Sequence, residues 1–255
     1  MPTEASGPAN GDSWGPTFDG YDYVHAGHEI TVKPRCLAFV SNASNLVGGD
    51  GNGHADVFVK HLSNGRLSRI ATRGAASDVA LDGRCYFISW VSGGTVYRKD
   101  LRHNGRPHRI SGPGGSSSPE MSANGKITTF ARNGVVYANR VGEGGTHRVA
   151  AGTAPTADEW GRYVADEYNG GLWRASTKGA AHADSLASSG TAPSMTAGGH
   201  FVFYVRGAIA TSNVYQDFGT CPAGTATQIN GSPHGNYAAF NCSNGALYLS
   251  YIGPQ

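Results

Sequence analysis

Short apolar runs recur along the chain, each entered through a turn residue and a polar or basic one. They are Pro34-Arg35-Cys36-Leu37-Ala38-Phe39, Gly83-Arg84-Cys85-Tyr86-Phe87-Ile88, Gly125-Lys126-Ile127-Thr128-Thr129-Phe130, Gly161-Arg162-Tyr163-Val164-Ala165, Gly199-His200-Phe201-Val202-Phe203 and Gly235-Asn236-Tyr237-Ala238-Ala239-Phe240. After each comes an aliphatic residue beside an aromatic one: Val57-Phe58, Val96-Tyr97, Val136-Tyr137, Leu172-Trp173, Val214-Tyr215 and Leu247-Tyr248, at intervals of 39, 40, 36, 42 and 33 residues. A third segment, ending in an aliphatic residue, closes five of the units: Ser68-Arg69-Ile70, His108-Arg109-Ile110, His147-Arg148-Val149, Asp184-Ser185-Leu186 and Thr227-Gln228-Ile229. Runs this short, bounded by turns such as Asn64-Gly65 and Asn104-Gly105, predict β-strands, with no periodicity for a long helix.

Each unit of about 40 residues thus predicts a small antiparallel sheet that is apolar on both faces and cannot bury both alone. Standing the sheets radially around an axis solves this, so the expected fold is all-β, a six-bladed β-propeller. One propeller domain is expected over residues 1–255, with blades at roughly 12–72, 75–112, 114–151, 153–189, 191–229 and 230–255. Ser13-Trp14-Gly15-Pro16, Ser118-Pro119, Ala154-Pro155, Ala192-Pro193 and Ser232-Pro233 would start the innermost strands. Closure is open: either residues 1–11, poor in β-formers, complete the last blade, or that blade has three strands. A two-sheet sandwich with coincidental spacing is the alternative fold.

Phe39-Val40-Ser41-Asn42-Ala43-Ser44-Asn45-Leu46-Val47, followed by Asp50-Gly51-Asn52-Gly53-His54-Ala55-Asp56-Val57-Phe58-Val59, closely resembles the repeat of TolB-like (WD40-like) propellers common in secreted bacterial proteins. Later units match only in the turn-plus-strand core. The resemblance implies the propeller and leaves activity open, because this fold hosts binding scaffolds and enzymes alike.

Glycine is abundant, at 38 of 255 residues, and only 15% of residues are charged, yet 39% are hydrophobic, too many for a disordered chain. A formal net charge of +2, with no dense basic run, argues against nucleic acid as a partner. No apolar run approaches the ~20 residues of a membrane span, and no leader-like succession opens the chain, which reads as a mature form. Four cysteines without zinc-finger spacing suggest an oxidising compartment, so a secreted or extracytoplasmic protein is expected; four buried thiols in a cytosolic protein is the alternative. Cys221–Cys242 is the preferred bridge. Cys36 and Cys85 look register-equivalent in adjacent blades, about 10 Å apart, and are expected not to pair unless the insertion ahead of Cys36 displaces it.

Candidate chemistry is local. Asp50, Asn52 and Asp56 place three oxygen-bearing side chains in a glycine-rich loop, a pattern suited to calcium, although the loop lacks the closing glutamate of an EF-hand and could simply be a capped turn. Gly11-Asp12-Ser13-Trp14-Gly15 fits G-x-S-x-G, but no helix follows to make a nucleophile elbow. Between Trp14 and Arg35 the first unit carries extra residues, including Asp19 and Asp22. Tyr21, Tyr23, His25, His28 and Glu29 there are candidates for a ligand or partner face at one mouth of the ring. Asp158, Glu159, Asp166 and Glu167 could be read as paired carboxylates for glycoside chemistry or as solvated strand ends. His108 and His147 occupy equivalent positions in the repeat, and the tryptophans read as packing between blades.

Two functions follow. The first is a secreted, monomeric binding protein that presents one face of the ring to a protein, peptide or glycan. The other is an enzyme, a hydrolase or lyase, that uses the central funnel.

Overall fold

The computed structural model describes residues 9–19, 21–25, 28–32, 34–103, 105–143, 145–179, 181–195, 199, 202–212, 217–222, 224–231, 237–244 and 246–251. Strand β1 (Ser13–Phe18) is followed by a separate hairpin, β2 (Tyr21–His25) and β3 (His28–Val32), and then by β4 (Cys36–Ser41), β5 (Asp56–His61) and β6 (Leu67–Ile70). The first sheet runs β1-β4-β5-β6. The second comprises β7 (Ala76–Leu81), β8 (Phe87–Ser92), β9 (Thr95–Asp100) and β10 (His108–Arg109). The third holds β11 (Ser116–Met121), β12 (Ile127–Arg132), β13 (Val135–Arg140) and β14 (Thr146–Ala151). In the fourth are β15 (Thr153–Ala157), β16 (Tyr163–Tyr168), β17 (Gly171–Ser176) and β18 (His182–Ala187). The fifth has β19 (Thr191–Met195), β20 (Val202–Arg206), β21 (Ile209–Ser212) and β22 (Asp217–Thr220). Finally β23 (Ala226–Gly231), β24 (Tyr237–Cys242) and β25 (Leu247–Tyr251) form a three-stranded sheet.

The protein is therefore a propeller with five complete four-stranded blades, not the six expected, and among the described residues its last repeat forms a sheet of three strands. The boundary after the fifth blade explains the difference. Thr227-Gln228-Ile229, expected to close that blade, pairs with β24 and opens the last sheet, while Asp217–Thr220 closes the fifth blade. Ser232-Pro233 lies outside the described residues.

Neighbouring sheets bury their faces against each other. Val40, Val57 and Val59 of the first blade pack with Leu81, Ile88 and Trp90 of the second. Val91 and Val96 meet Phe130, and Ile127 and Val136 meet Val164. Ala165 and Leu172 meet Val202 and Tyr204, and Phe203 and Val205 meet Ile229 and Phe240. Each side chain of this size gains roughly 1.5–3 kcal/mol on burial, and only the adjacent sheet supplies the cover. That is why the repeats stand radially.

Every inner strand bends at one point. In β1, β11, β15 and β19 the residue ahead of a proline has positive φ: Gly15 (59°), Ser118 (48°), Ala154 (46°) and Ala192 (51°). The pairing shifts there, as in a β-bulge. A proline without an N–H suits a point where the ladder is broken.

The turns from the inner to the second strand are held by one side chain. Asp82 Oδ1 accepts from the N–H groups of Tyr86 (2.7 Å) and Phe87 (2.9 Å). Asp158 Oδ1 does the same for Arg162 (2.6 Å) and Tyr163 (2.9 Å). In the first blade Asp19 Oδ1 accepts from Arg35 (2.7 Å) and Cys36 (2.6 Å), so the equivalent turn is intact although the β2–β3 hairpin interrupts it.

These anchors correct the reading of Cys36 and Cys85. Both are bonded, to each other, with Cα atoms 6.0 Å apart, and Cys221 is bonded to Cys242. By its anchor Cys36 corresponds to Phe87 and Tyr163, not to Cys85, which sits two residues earlier inside the turn. The hairpin hides this offset in sequence. From the turn, Cys85 reaches the neighbouring blade.

Candidate functional site

The inner strands converge on an axial cavity of about 340 Å³. Its wall includes Pro16, Pro119, Pro155 and Pro193 with Thr17, Thr156, Ser194 and Gln228. At the position of those prolines the second blade has Asp78, and Glu120 follows Pro119. Asp78 and Glu120 are the charged groups of this wall, and burial pushes the Glu120 carboxyl up to about 7. Such a cavity favours a cation or a neutral polar group over an anion.

A second polar site lies on the fourth blade, where it breaks a pattern. At one register position the second and third strands of a sheet carry stacked aromatics: Phe39 on Phe58 (5.5 Å between centroids), Trp90 on Tyr97 (5.9 Å), Phe130 on Tyr137 (5.6 Å) and Phe240 on Tyr248 (5.3 Å). In the fourth blade Asp166 stands opposite Trp173 at this position. Asp166 is fully buried, and its Oδ1 lies 2.9 Å from His182 Nε2. The His182 ring packs on Tyr168 (4.9 Å) and Trp173 (5.4 Å). Burial raises the Asp166 carboxyl to about 6, against the opposing pull of the His182 hydrogen bond.

The acidic residues that could be read as paired carboxylates or as solvated strand ends are separated by role. Asp158 caps its turn, and Glu167 accepts from the Ala192 N–H (2.7 Å). Glu159 is buried, which together with the nearby Asp158 charge raises its carboxyl to about 7. The Asp166–His182 pair escaped the sequence reading because its partners lie on different strands. Its one signal is an acid where the repeat has an aromatic.

Asp50, Asn52 and Asp56 do come together. Asp56 accepts from the Thr72 N–H and hydroxyl (both 2.8 Å) and from the Asn52 amide (2.8 Å). The Arg69 guanidinium faces these carboxylates, bonding Asp50 and lying 3.3 Å from Asp56, and His54 Nδ1 stands 3.8 Å from Asp56 Oδ1. Ser13 lies on a strand and bonds Ser41 Oγ (2.9 Å). Trp14 donates to Ser77 O of the second blade (2.9 Å), Trp90 is buried, and Trp160 is 45% exposed. His147 contacts Thr177 O on the next blade. Tyr21, Tyr23, His25, His28 and Glu29 fall on the hairpin, whose strands pair from Tyr21 with Val32 to His25 with His28; their side chains lie outside the described structure. Phe18, 57% exposed, immediately precedes the insertion.

This architecture defines a β-propeller. No protein-family model matches the chain, and no curated protein does. Among solved structures it is similar to the β-propeller domain of Myceliophteria thermophila Cps50 (Swd1), with a TM-score of 0.62 and 10% identity over 86% of this chain and 80% of that one. At that identity the likeness is one of fold.

Proposed function

We propose that this protein is an extracytoplasmic, monomeric interaction module of TolB-like type, folded as a single domain. It recognises a protein, peptide or glycan at the face from which the β2–β3 hairpin springs. The observation that carries this reading is the insertion itself. Its two ends are tied to the blade by Asp19, so the loop has been added without disturbing the turn beneath it. An addition that leaves its scaffold intact is the usual form of a recognition element on a rigid fold. Phe18 at its foot adds exposed apolar surface. The two disulfides are consistent with an oxidising compartment.

The test replaces residues 20–34 with a three-residue turn, the length between Asp82 and Tyr86 and between Asp158 and Arg162, and compares both proteins on glycan and peptide arrays and in co-purification from culture medium. An unchanged melting temperature with loss of the bound species is expected. Retention of every bound species by the shortened protein would overturn the reading.

Glu120 favours the enzymatic alternative. A carboxyl near 7 in the axial cavity suits general acid–base work in a hydrolase or lyase.

A further inference from the structure

We infer that reduction of the Cys36–Cys85 bond converts this link between blades into a metal site, in which Cys36, Cys85 and His61 bind a borderline-soft divalent ion such as zinc. Cys36 and His61 are register partners on β4 and β5, so their side chains leave the ladder on the same face. His61 Nδ1 lies 3.5 Å from Cys36 Sγ, and the donor atoms of all three residues lie within 4.8 Å of one another. In a tetrahedral zinc site, with Zn–S near 2.3 Å and Zn–N near 2.0 Å, a sulfur and a nitrogen ligand stand roughly 3.5 Å apart. The histidine is already at that spacing. Only the sulfurs must separate, to roughly 3.8 Å, after the bond between them is cut.

Two features set this group apart from the repeat, and a disulfide accounts for only part of them. The positions of Cys36 and His61 are held by Phe87 and Asp100 in the second blade, Ile127 and Arg140 in the third, and Tyr163 and Ser176 in the fourth. A disulfide needs no histidine there. Cys85 has a φ of 56°, where the corresponding turns have Gly125 (70°) and Gly161 (67°). A side chain in this region costs about 1 kcal/mol or more, so a sulfur is held where backbone preference calls for glycine.

The chemistry balances simply. A phosphine or thiol reductant delivers two electrons, the S–S bond breaks, and two protons from solvent complete two thiols. Metal binding then returns those protons to solvent as the thiolates coordinate. The neutral imidazole is the third ligand, and water takes the fourth position. This inference does not depend on the proposed binding function.

The test is anaerobic titration of the full-length protein with cobalt(II), a spectroscopic stand-in for zinc, before and after phosphine reduction. The reduced protein should bind one equivalent, with thiolate-to-cobalt charge-transfer and tetrahedral d–d bands that zinc abolishes. The oxidised protein should show neither. His61→Ala, reduced, should bind at least ~10-fold more weakly with altered d–d bands. The Cys221/Cys242 pair is present in both proteins and cannot produce that difference. If reduction loosens the fold, its recovery with zinc supports the site. Unfolding that zinc does not reverse, absence of charge-transfer bands, or identical spectra for wild type and His61→Ala would overturn it.

Discussion

Asp166→Phe should stabilise the protein at alkaline pH and mildly destabilise it in acid. Asp166 is fully buried, and its carboxyl is raised from the ordinary 3.8 to about 6, chiefly by burial. At 1.36 kcal/mol per pH unit, its ionised form costs the folded state about 3 kcal/mol above pH 6. A folded-state value above the unfolded one means that the proton is held more tightly by the native protein. The associated stability is complete below pH 3.8 and is lost as pH rises through 6. Phenylalanine removes this dependence, restores a stack with Trp173 worth about 0.5–1.5 kcal/mol, and forfeits the His182 hydrogen bond, worth about 1.5–3 kcal/mol. The slot admits a ring: Gly152 lies beneath Asp166 as Gly219 lies beneath Phe240. Denaturant unfolding of both proteins at pH 5 and pH 8 should show the variant gaining about 1.4 kcal/mol relative to wild type between the two, since roughly half of the cost has already accrued by pH 5. Equal differences at both pH values, whatever their sign, would refute the linkage argument.

Other outcomes follow from the same structure. Replacing Cys36 and Cys85 with serine should cost about 4 kcal/mol for a separation of 49 residues, and replacing Cys221 and Cys242 about 3 kcal/mol for 21, as measured by calorimetry or denaturant midpoints. Arg69→Ala leaves Asp56 buried opposite Asp50 and should cost about 3–5 kcal/mol; melting curves in calcium and in chelator, run on wild type and variant, show whether an ion replaces the guanidinium. Glu120→Gln should flatten the loss of stability between pH 5 and pH 8, because the raised carboxyl holds its proton in the native state and surrenders that advantage as pH passes 7. Gly161→Ala forces a Cβ to 2.5 Å from Ile127 Cγ1 at a φ of 67° and should cost about 1–3 kcal/mol in thermal unfolding.

The blades were legible because two physical signals coincide in each repeat: a turn residue that permits reversal and an apolar run that needs cover. Phe58, Tyr97, Tyr137 and Tyr248 fell at stacked positions for that reason. Thr227-Gln228-Ile229 misled because an inner and an outer strand of this fold share the same short polar-to-aliphatic pattern, and only pairing with β24 separates them. The Cys36 register failed because a hairpin inserted into its turn hides the spacing by which the other units are aligned. The Asp166–His182 pair was out of reach because sequence adjacency tied Asp166 to Glu167, while pleating sends them to opposite faces. The spacing of Asp50, Asn52 and Asp56 brought their oxygens together on paper as in the fold, but it carries no sign of the Arg69 guanidinium that comes to meet them.

The two covalent links join the first blade to the second and the fifth to the last sheet. Neither link runs between the first sheet and the last. Gly15–Thr17 on one side and Gln228 and Ile229 on the other border the same axial cavity. The covalent reinforcement of the bore is therefore lopsided, with two stapled pairs of sheets and no staple between its first and last walls.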